Sequence, residues 1–302
     1  MRKHLITVDD LSKSEFMSIL EQGKAFKEIL TRPIKKIPTL RGKTIGLLFF
    51  EPSTRTKLSF ELAAKRMSAD IVNFTASSSS LKKDESIKDT VMTLDAMKID
   101  IYVVRHSSPG VPYIVADHIR GSVINAGDGA HSHPTQAILD VYTIWERFGT
   151  LKGLNITIVG DIKYSRVVRS DIDAFLKLGA HVTICTPRTL LPFSVSSLGV
   201  KVNFSVKEAI KNADVIMGLR MQKERQDSGL IPDEVEYNHF FGLKEEILGS
   251  LNPKVLVMHP GPINRGIEID GEVADSEFSV INEQVTNGLA TRMSIFYHLV
   301  EA

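Results

Sequence analysis

The fold is decided within residues 44–67, which read TIGLLFFEPSTRTKLSFELAAKRM. The first seven residues are mostly apolar and do not alternate with polar ones, as expected of a strand that is covered on both faces. A short polar turn follows. From Lys57 onward, apolar residues at 58, 62, 63 and 67 recur at helical spacing. A strand, a turn and an amphipathic helix in this order are typical of a parallel α/β sheet.

The same alternation continues along the chain. Further apolar runs that predict strands lie at 71–75, 99–104, 123–126, 155–159, 181–185, 201–204, 214–219 and 254–258. Helical patterns lie at 57–67, 85–97, 134–148 and 287–300. The predicted fold is therefore α/β, with two doubly wound parallel-sheet domains and the active site in the cleft between them. We expect the domains to span residues 1–148 and 149–286, with the last helix (287–302) packed back onto the first domain.

Length and composition narrow the class of protein. At 302 residues the chain can form two domains of ordinary size, and 43% hydrophobic residues with 24% charged residues do not suggest disorder. The formal net charge is only +1, so the composition does not indicate a nucleic-acid partner. Basic groups that matter for function must therefore be local.

Cysteine usage and the N-terminus bear on the cellular compartment. The single cysteine, Cys185, lies within an apolar run, which rules out an intrachain disulfide and predicts a buried, unreactive thiol. The basic residues at 1–5 are followed by acidic and polar residues rather than by the apolar region of a signal peptide. No apolar run is long enough to cross a bilayer. We expect a soluble, cytoplasmic protein.

Two short peptides carry the strongest chemical signal. Three hydroxyls and a guanidinium stand together at a predicted helix start, in Ser53, Thr54, Arg55 and Thr56. Unpaired N–H groups at a helix start, joined by such donors, predict a site for phosphate or carboxylate. His133 and Gln136 flank a second predicted helix start, where they could hold a neutral, polarisable group beside that anion.

Other polar residues follow the predicted strands at their carboxyl ends, where open parallel sheets bind ligands. They are Arg105 and His106, residues 128–133, residues 161–166, Arg220 and Gln222, and residues 259–262. Together these groups predict a cleft rich in cations and hydroxyls. Such a site suits a small, highly anionic ligand.

Several cofactor motifs are missing. The chain contains no Walker-type phosphate loop, and Gly127-Asp128-Gly129 lacks the spacing of a dinucleotide fingerprint. His131 and His133 could bind a metal, but no carboxylate or cysteine motif completes the ligand shell. We therefore expect neither a metal nor another cofactor.

The quoted motifs together resemble a known family. The segments FEPSTRT (50–56), Arg105-His106, HPTQ (133–136) and HPGP (259–262) are similar to those of the aspartate and ornithine carbamoyltransferases. The similarity extends through essentially the whole chain. The segments GDIKYSR (160–166) and RMQKER (220–225), together with HPGP, favour the aspartate branch of that family.

The resemblance implies transfer of a carbamoyl group from carbamoyl phosphate to the α-amino group of L-aspartate, an early step of pyrimidine synthesis. It implies that Ser53, Thr54, Arg55 and Thr56 bind the phosphate, and that Thr56, Arg105 and His133 stabilise the carbonyl oxygen as catalytic residues. Gln136, Gly261 and Pro262 would hold the carbamoyl NH₂. Residues implied for the aspartate side are Lys83, Arg166, Arg220 and Gln222.

The resemblance also implies a homotrimer with shared active sites, because Ser79 and Lys83 would reach over from a neighbouring subunit. The loop that contains them departs from the family pattern, since Asp84 stands where a glycine is usual. This change adds a negative charge and removes easy access to positive φ. Lys82 is an alternative to Lys83 in that role.

Two other functions stay open at this point. One is a carbamoyltransferase for another amine, such as ornithine. The other is a non-catalytic, anion-binding scaffold subunit that has kept the fold. A regulatory chain or dihydroorotase is a possible partner, and neither nucleic acid nor a membrane is expected.

Overall fold

The computed structural model describes residues 4–75, 86–222, 230 and 233–300. The chain divides into two compact units. The first unit comprises Met1–Tyr142 and Thr286–Ala302, and the second comprises Thr143–Val285. Both divisions fall inside helices, whereas the sequence places the domain limits after residues 148 and 286.

The first unit contains a four-stranded sheet in which all neighbouring strands are parallel. Its strands are β1 (Thr44–Phe49), β2 (Asp70–Thr75), β3 (Ile101–His106) and β4 (Ser122–Asp128). The strand order is β2-β1-β3-β4. Because β2 lies on one side of β1 and β3 on the other, the winding direction reverses between β1 and β3. Ligands bind at such switch points, outside the carboxyl ends of the strands.

The helices of this part of the chain are α1 (Lys13–Leu30), α2 (Thr54–Arg66), α3 (Ile87–Ala96), α4 (Val111–Ala116) and α5 (Pro134–Phe148). Helix α5 has the predicted bounds. Helix α2 begins at Thr54, not near Lys57 as predicted, because its hydrophilic first turn carries no apolar periodicity. This earlier start places Thr54, Arg55 and Thr56 in the first turn.

The first unit buries both faces of its sheet. Leu48 belongs to a hydrophobic cluster on one face, and Leu47, whose side chain points to the other face, is also fully buried. The start of the described chain covers the edge of the sheet beside β4. There, the N–H of Leu5 donates to the carbonyl of Val123 at 2.8 Å. Pairing at this edge satisfies backbone groups that an open strand would leave exposed.

The second unit contains a five-stranded, all-parallel sheet with the order β7-β6-β5-β8-β9. Its strands are β5 (Asn155–Val159), β6 (His181–Cys185), β7 (Lys201–Asn203), β8 (Val215–Gly218) and β9 (Leu256–Met258). Its helices are α6 (Arg166–Lys177), α7 (Val206–Ile210), α8 (Glu234–Phe241) and α9 (Gly271–Ala274). The switch point lies between β5 and β8. Each apolar run named in the sequence forms a strand, so the predicted fold class is confirmed.

Helix α10 spans Ile281–Val300 and begins earlier than the predicted residue 287. Its residues from Thr286 onward belong to the first unit. The hydroxyl of Ser294 donates to the carbonyl of Ile19 at 2.8 Å, and the Phe296 ring lies 5.8 Å from the Phe60 ring. The C-terminal part of α10 therefore packs against α1 and α2.

Two further expectations concern the thiol and the membrane. Cys185 is buried, as predicted, and burial raises the pKa of its thiol to about 12. The thiol is therefore protonated and a poor nucleophile at neutral pH. In the part of the chain that the structure describes, no helix is long and apolar enough to span a membrane.

Candidate active site

The first turn of α2 carries the residues that were predicted to bind an anion in the first unit. Ser53 precedes the helix, and its side chain makes no capping hydrogen bond. The first N–H groups of a helix have no carbonyl acceptor within that helix, and they carry its positive dipole end. Thr54 and Arg55 are exposed there, while Ser53 and Thr56 are half-buried. The residues predicted to bind phosphate are thus grouped at one helix start.

Arginines occupy the first turns of both α2 and α6, where the helix dipole disfavours a cation. Arg55 is the second residue of α2, and Arg166 is the first residue of α6. Neither first turn contains an acidic residue to offset the charge. An arrangement that is locally unfavourable is expected where function requires it. At both helix starts the dipole and the guanidinium present positive charge, which is suited to an anion.

Arg105 is held at the carboxyl edge between β1 and β3. In the sheet register it lies opposite Phe49, the last residue of β1. Its Nη1 donates to the carbonyl of Ala126 at 2.9 Å, and its Nε lies 2.8 Å from Oε1 of Glu51. These two contacts fix the orientation of the guanidinium. Preorganised donors of this kind are effective at a site where negative charge develops.

The turn between β4 and α5 is built around the buried carboxylate of Asp128. It accepts hydrogen bonds from Asn125 Nδ2 at 2.8 Å, from the N–H of Ser132 at 3.1 Å and from His131 Nδ1 at 2.9 Å. Burial raises the pKa of Asp128, but the bonds from His131 and Asn125 outweigh this effect and leave the pKa below its usual value. The ionised carboxylate therefore fixes the turn that leads to His133.

His133 and Gln136 stand at the start of α5, and both are buried. The His133 carbonyl accepts the N–H of Gln136 at 3.0 Å, which closes the first turn. The Thr135 hydroxyl lies 3.4 Å from Nδ1 of His133, and a proton donated there leaves the imidazole proton on Nε2. The Nε2 of Gln136 donates to both carboxylate oxygens of Asp140, at 3.2 and 3.1 Å.

In the second unit, Asp161 joins the loops that follow β5 and β8. Its buried carboxylate accepts the N–H of Tyr164 at 3.0 Å through Oδ1 and the N–H of Gln222 at 3.2 Å through Oδ2. Gly160 allows these loops to approach, because its φ is +138° and a Cβ there would lie 2.6 Å from the carbonyl oxygen of Leu219. The two switch-point loops of this sheet are therefore tied together.

Arg220 and Gln222 form a bonded pair at the end of β8. The Nη2 of Arg220 donates to Oε1 of Gln222 at 3.1 Å, and Nε2 of Gln222 lies 3.4 Å from the carbonyl of Arg220. Arg166 follows the neighbouring strand β5, and its side chain is buried. Two cations and an amide thus lie at the switch point of the second sheet. They are suited to binding carboxylates.

The loop after β9 is shaped by His259. Its Nδ1 accepts the N–H of Gly261 at 2.8 Å, which leaves a proton on Nε2, and Nε2 lies 3.4 Å from Oε1 of the buried Glu268. The peptide bond between Gly261 and Pro262 is cis. Gly261 is half-buried and Pro262 is exposed.

The structure places each predicted site residue that it describes at or just beyond the carboxyl end of a strand, or in the turn or helix that follows. In the first unit these residues are Ser53, Thr54, Arg55, Thr56, Arg105, His133 and Gln136. In the second unit they are Arg166, Arg220, Gln222, Gly261 and Pro262. Ser79, Lys82, Lys83 and Asp84 lie outside the described residues. Among the residues that are described, no group of three or more His, Cys, Asp or Glu side chains could hold a metal ion.

Sequence reasoning assigned no role to Glu51, Asp140, Asp161 or Arg292. The spacing of four residues between Gln136 and Asp140 is a detectable signal, because such pairs meet on one face of a helix. Asp161 lies in the polar segment 161–166 that follows a predicted strand. The sequence does not indicate that its carboxylate connects two loops. Arg292 is remote in sequence from its partners, so nothing local points to it.

Comparison with known proteins agrees with this geometry. Residues 3–146 match the carbamoyl-phosphate-binding domain of the aspartate/ornithine carbamoyltransferases, and residues 152–299 match the Asp/Orn-binding domain. The aspartate carbamoyltransferase catalytic subunit of Halothermothrix orenii is 53% identical over 298 residues, which cover 99% of this chain and 95% of that protein.

Solved structures are similar over nearly the full length. The catalytic subunit of M. jannaschii aspartate transcarbamoylase is 35% identical with a TM-score of 0.85, covering 99% of this chain and 98% of that one. The Trypanosoma cruzi aspartate transcarbamoylase in complex with carbamoyl phosphate is 27% identical with a TM-score of 0.89, covering 97% and 94%. This chain therefore belongs to the aspartate/ornithine carbamoyltransferase family.

Proposed function

We propose that this protein is an aspartate carbamoyltransferase, which transfers the carbamoyl group of carbamoyl phosphate to the α-amino group of L-aspartate. The products are N-carbamoyl-L-aspartate and phosphate, and the reaction is a step of pyrimidine biosynthesis. The observation that carries the proposal is a matched pair of anion sites. Each sheet has an arginine-bearing helix start at its switch point, with a second arginine at or just beyond the carboxyl end of the neighbouring strand. The relatives that match over nearly the whole chain support it.

The first unit supplies the groups for the carbamoyl donor. Ser53, Thr54, Arg55 and Thr56 bind the phosphate through hydroxyls, guanidinium and the N–H groups of the helix start. Thr56, Arg105 and His133 donate to the carbonyl oxygen. The rigid setting of Arg105 against Glu51 and Ala126 supports this role, because a donor that is already oriented costs no reorganisation during reaction.

The second unit supplies the groups for the acceptor. Arg166, Arg220 and Gln222 bind the two carboxylates of aspartate, and Lys83 adds a cation from the first unit of a neighbouring subunit. Two arginines and a lysine suit a dicarboxylic amino acid better than ornithine, whose side chain ends in an ammonium group. The carbonyl groups of Gly261 and Pro262 accept from the carbamoyl NH₂.

The chemistry needs no covalent enzyme intermediate. The neutral α-amino nitrogen attacks the carbonyl carbon, and a C–N bond forms while charge collects on the carbonyl oxygen. The bond from that carbon to the phosphate oxygen then breaks. The leaving phosphate takes the proton that the amine loses, so no side chain is assigned as the base. Holding amine and carbon in contact supplies much of the rate enhancement.

The assembly follows from the same assignment. Ser79 and Lys83 act in the site of a neighbouring subunit, so the active form is a homotrimer with shared sites, and we place it in the cytoplasm. The mass of the complex purified from its own cells distinguishes a trimer that works alone from one that joins a regulatory chain or dihydroorotase.

The decisive experiment measures phosphate release from carbamoyl phosphate by the purified protein with aspartate, ornithine and other amines, and identifies the product by mass spectrometry. We expect N-carbamoyl-L-aspartate with aspartate and no phosphate release above background with ornithine. Turnover with ornithine alone would overturn the assignment of the acceptor. Tight calorimetric binding of a phosphonate–aspartate bisubstrate analogue without turnover would indicate a non-catalytic scaffold.

A further inference from the structure

Two buried groups of opposite charge lie behind the start of α5 in the first unit. Asp140, on α5, is fully buried, and Arg292, on α10, is 5% exposed. Burying charges costs free energy unless they are paired and hydrogen-bonded. Neither residue is among the predicted site residues.

Asp140 determines which way the Gln136 amide faces. The two residues are four positions apart on α5, and Nε2 of Gln136 donates to both Oδ atoms of Asp140. An ionised carboxylate only accepts hydrogen bonds, so the NH₂ end of the amide must point toward it. The oxygen end, Oε1, consequently faces away from Asp140. In that position it can serve only as an acceptor.

Arg292 contacts α2, the helix that carries the predicted phosphate-binding residues. Its Nη1 donates to the hydroxyl of Ser59 on α2 at 2.9 Å, and its guanidinium lies 4.9 Å from the centre of the Phe60 ring. Burial lowers the pKa of Arg292 to about 10, and the charge of Asp140 opposes that decrease. Arg292 is therefore charged at neutral pH.

The position of Arg292 also depends on a glycine. A Cβ at Gly288 would lie 2.6 Å from Nη1 of Arg292 and 3.0 Å from Cδ2 of Leu139. The absence of a side chain at 288 thus leaves room for the guanidinium between α10 and α5. Arg292 therefore lies where α2 and α10 meet, and Leu139 of α5 lies beside Gly288.

We propose that Asp140 is a positioning residue that fixes Oε1 of Gln136 as the acceptor for the carbamoyl NH₂ and so makes the enzyme select carbamoyl phosphate over acyl phosphates. This inference depends on the proposed role of Gln136. A flipped amide would place its own NH₂ against the substrate NH₂, where two donors repel. Acetyl phosphate carries a methyl group at that position, so it gains nothing from the orientation of the amide.

The test replaces the carboxylate by an amide. In Asp140→Asn the new side chain both donates and accepts, and Gln136 can then take either orientation. We expect kcat/KM for carbamoyl phosphate to fall about ten-fold, the equivalent of one hydrogen bond. The inhibition constant of acetyl phosphate and the KM for aspartate should change less than about two-fold, since neither ligand uses Oε1.

A matched control is Glu283→Gln, another acid-to-amide change. It removes an exposed ion pair between Glu283 on α10 and Arg147, and we expect it to leave all three constants unchanged. Equal losses for carbamoyl and acetyl phosphate in Asp140→Asn would overturn the proposal, because they would indicate general damage to the site. No change in either would overturn it too.

A second variant keeps the proposal testable if Asp140→Asn does not fold. Arg292→Gln removes the positive charge near Asp140 and keeps an amide donor for Ser59. Because that charge favours the ionised form of Asp140, we expect a smaller loss of selectivity, about three-fold, and an unchanged ratio would count against the proposal. The proposed role of Gln136 fails separately, if the unmodified enzyme binds carbamoyl phosphate no more tightly than acetyl phosphate.

Discussion

Asp161→Asn tests whether one buried carboxylate holds the aspartate side of the site together. Its two oxygens each accept a different backbone N–H, that of Tyr164 at 3.0 Å and that of Gln222 at 3.2 Å. Asparagine has the same shape but only one oxygen. Whichever N–H that oxygen accepts, the new NH₂ group faces the other. The substitution therefore breaks one bond and leaves a donor unsatisfied.

The magnitude follows from these two contacts. A hydrogen bond to a charged group contributes about 1.5–3 kcal/mol, and an unsatisfied buried donor costs a comparable amount. Because one contact survives, we expect the free energy of unfolding to fall by about 2–4 kcal/mol. The loop after β8 carries Arg220 and Gln222, so the KM for aspartate should rise roughly ten-fold or more. The affinity for carbamoyl phosphate should not change.

The assay combines urea denaturation with initial rates at varied aspartate. Asp214→Asn is the matched control, because Oδ2 of Asp214 accepts one N–H, that of Asn155 at 2.8 Å, at the opposite end of the same sheet. There the amide oxygen can replace the lost acceptor, and we expect little change in stability or KM. If Asp161→Asn proves no more harmful than Asp214→Asn in either measurement, the reasoning is refuted.

Three further predictions concern single side chains. Arg220→Ala should raise the KM for aspartate about 10–100-fold and leave the KM for carbamoyl phosphate within about two-fold. Arg265→Ala, a change at an exposed arginine, is the control. Equal effects of Arg220→Ala on both KM values would contradict the assignment. His133→Ala should lower kcat about 10²–10³-fold without weakening inhibition by inorganic phosphate, since His133 donates to the carbonyl oxygen. A decrease in both kcat and phosphate inhibition would indicate a phosphate-binding role. Tyr237→Phe should leave the free energy of unfolding in urea unchanged or increase it. Burial raises the pKa of Tyr237, and its neutral hydroxyl has no hydrogen-bond partner within the described residues. A loss above about 1 kcal/mol would show that the hydroxyl makes a hydrogen bond.

The strands were predictable because their signal is local. Runs such as 155–159 and 181–185 have the predicted bounds, since uniformly apolar segments between turns can hardly form anything other than buried strands in an α/β chain. Helix starts were less predictable. Helix α2 begins at Thr54 and α10 at Ile281, both earlier than predicted, because a polar first turn carries no periodic pattern.

The chemical residues were predictable for a related reason. A parallel sheet brings the carboxyl ends of its strands to one edge, so polar residues that follow different strands must gather there. Knowing that Arg105 lies at the carboxyl end of β3 and that residues 53–56 follow β1 was enough to place them at the same edge of the sheet. The sequence could not show which strands are neighbours, and therefore which pairs of loops form the switch points.

The amino-acid sequence by itself determined the alternation of strands and helices, the chemical inventory at the strand ends and the family. Each of these features depends on short segments, in which the pattern of neighbouring residues is sufficient to indicate it. Only the tertiary structure determined which contacts orient the polar side chains at the strand ends. Asp161 bonds the backbone of Gln222, and Arg292 bonds Ser59, across long intervals of sequence. Such contacts arise only when the sheet order and helix packing bring remote residues together, so no local pattern encodes them.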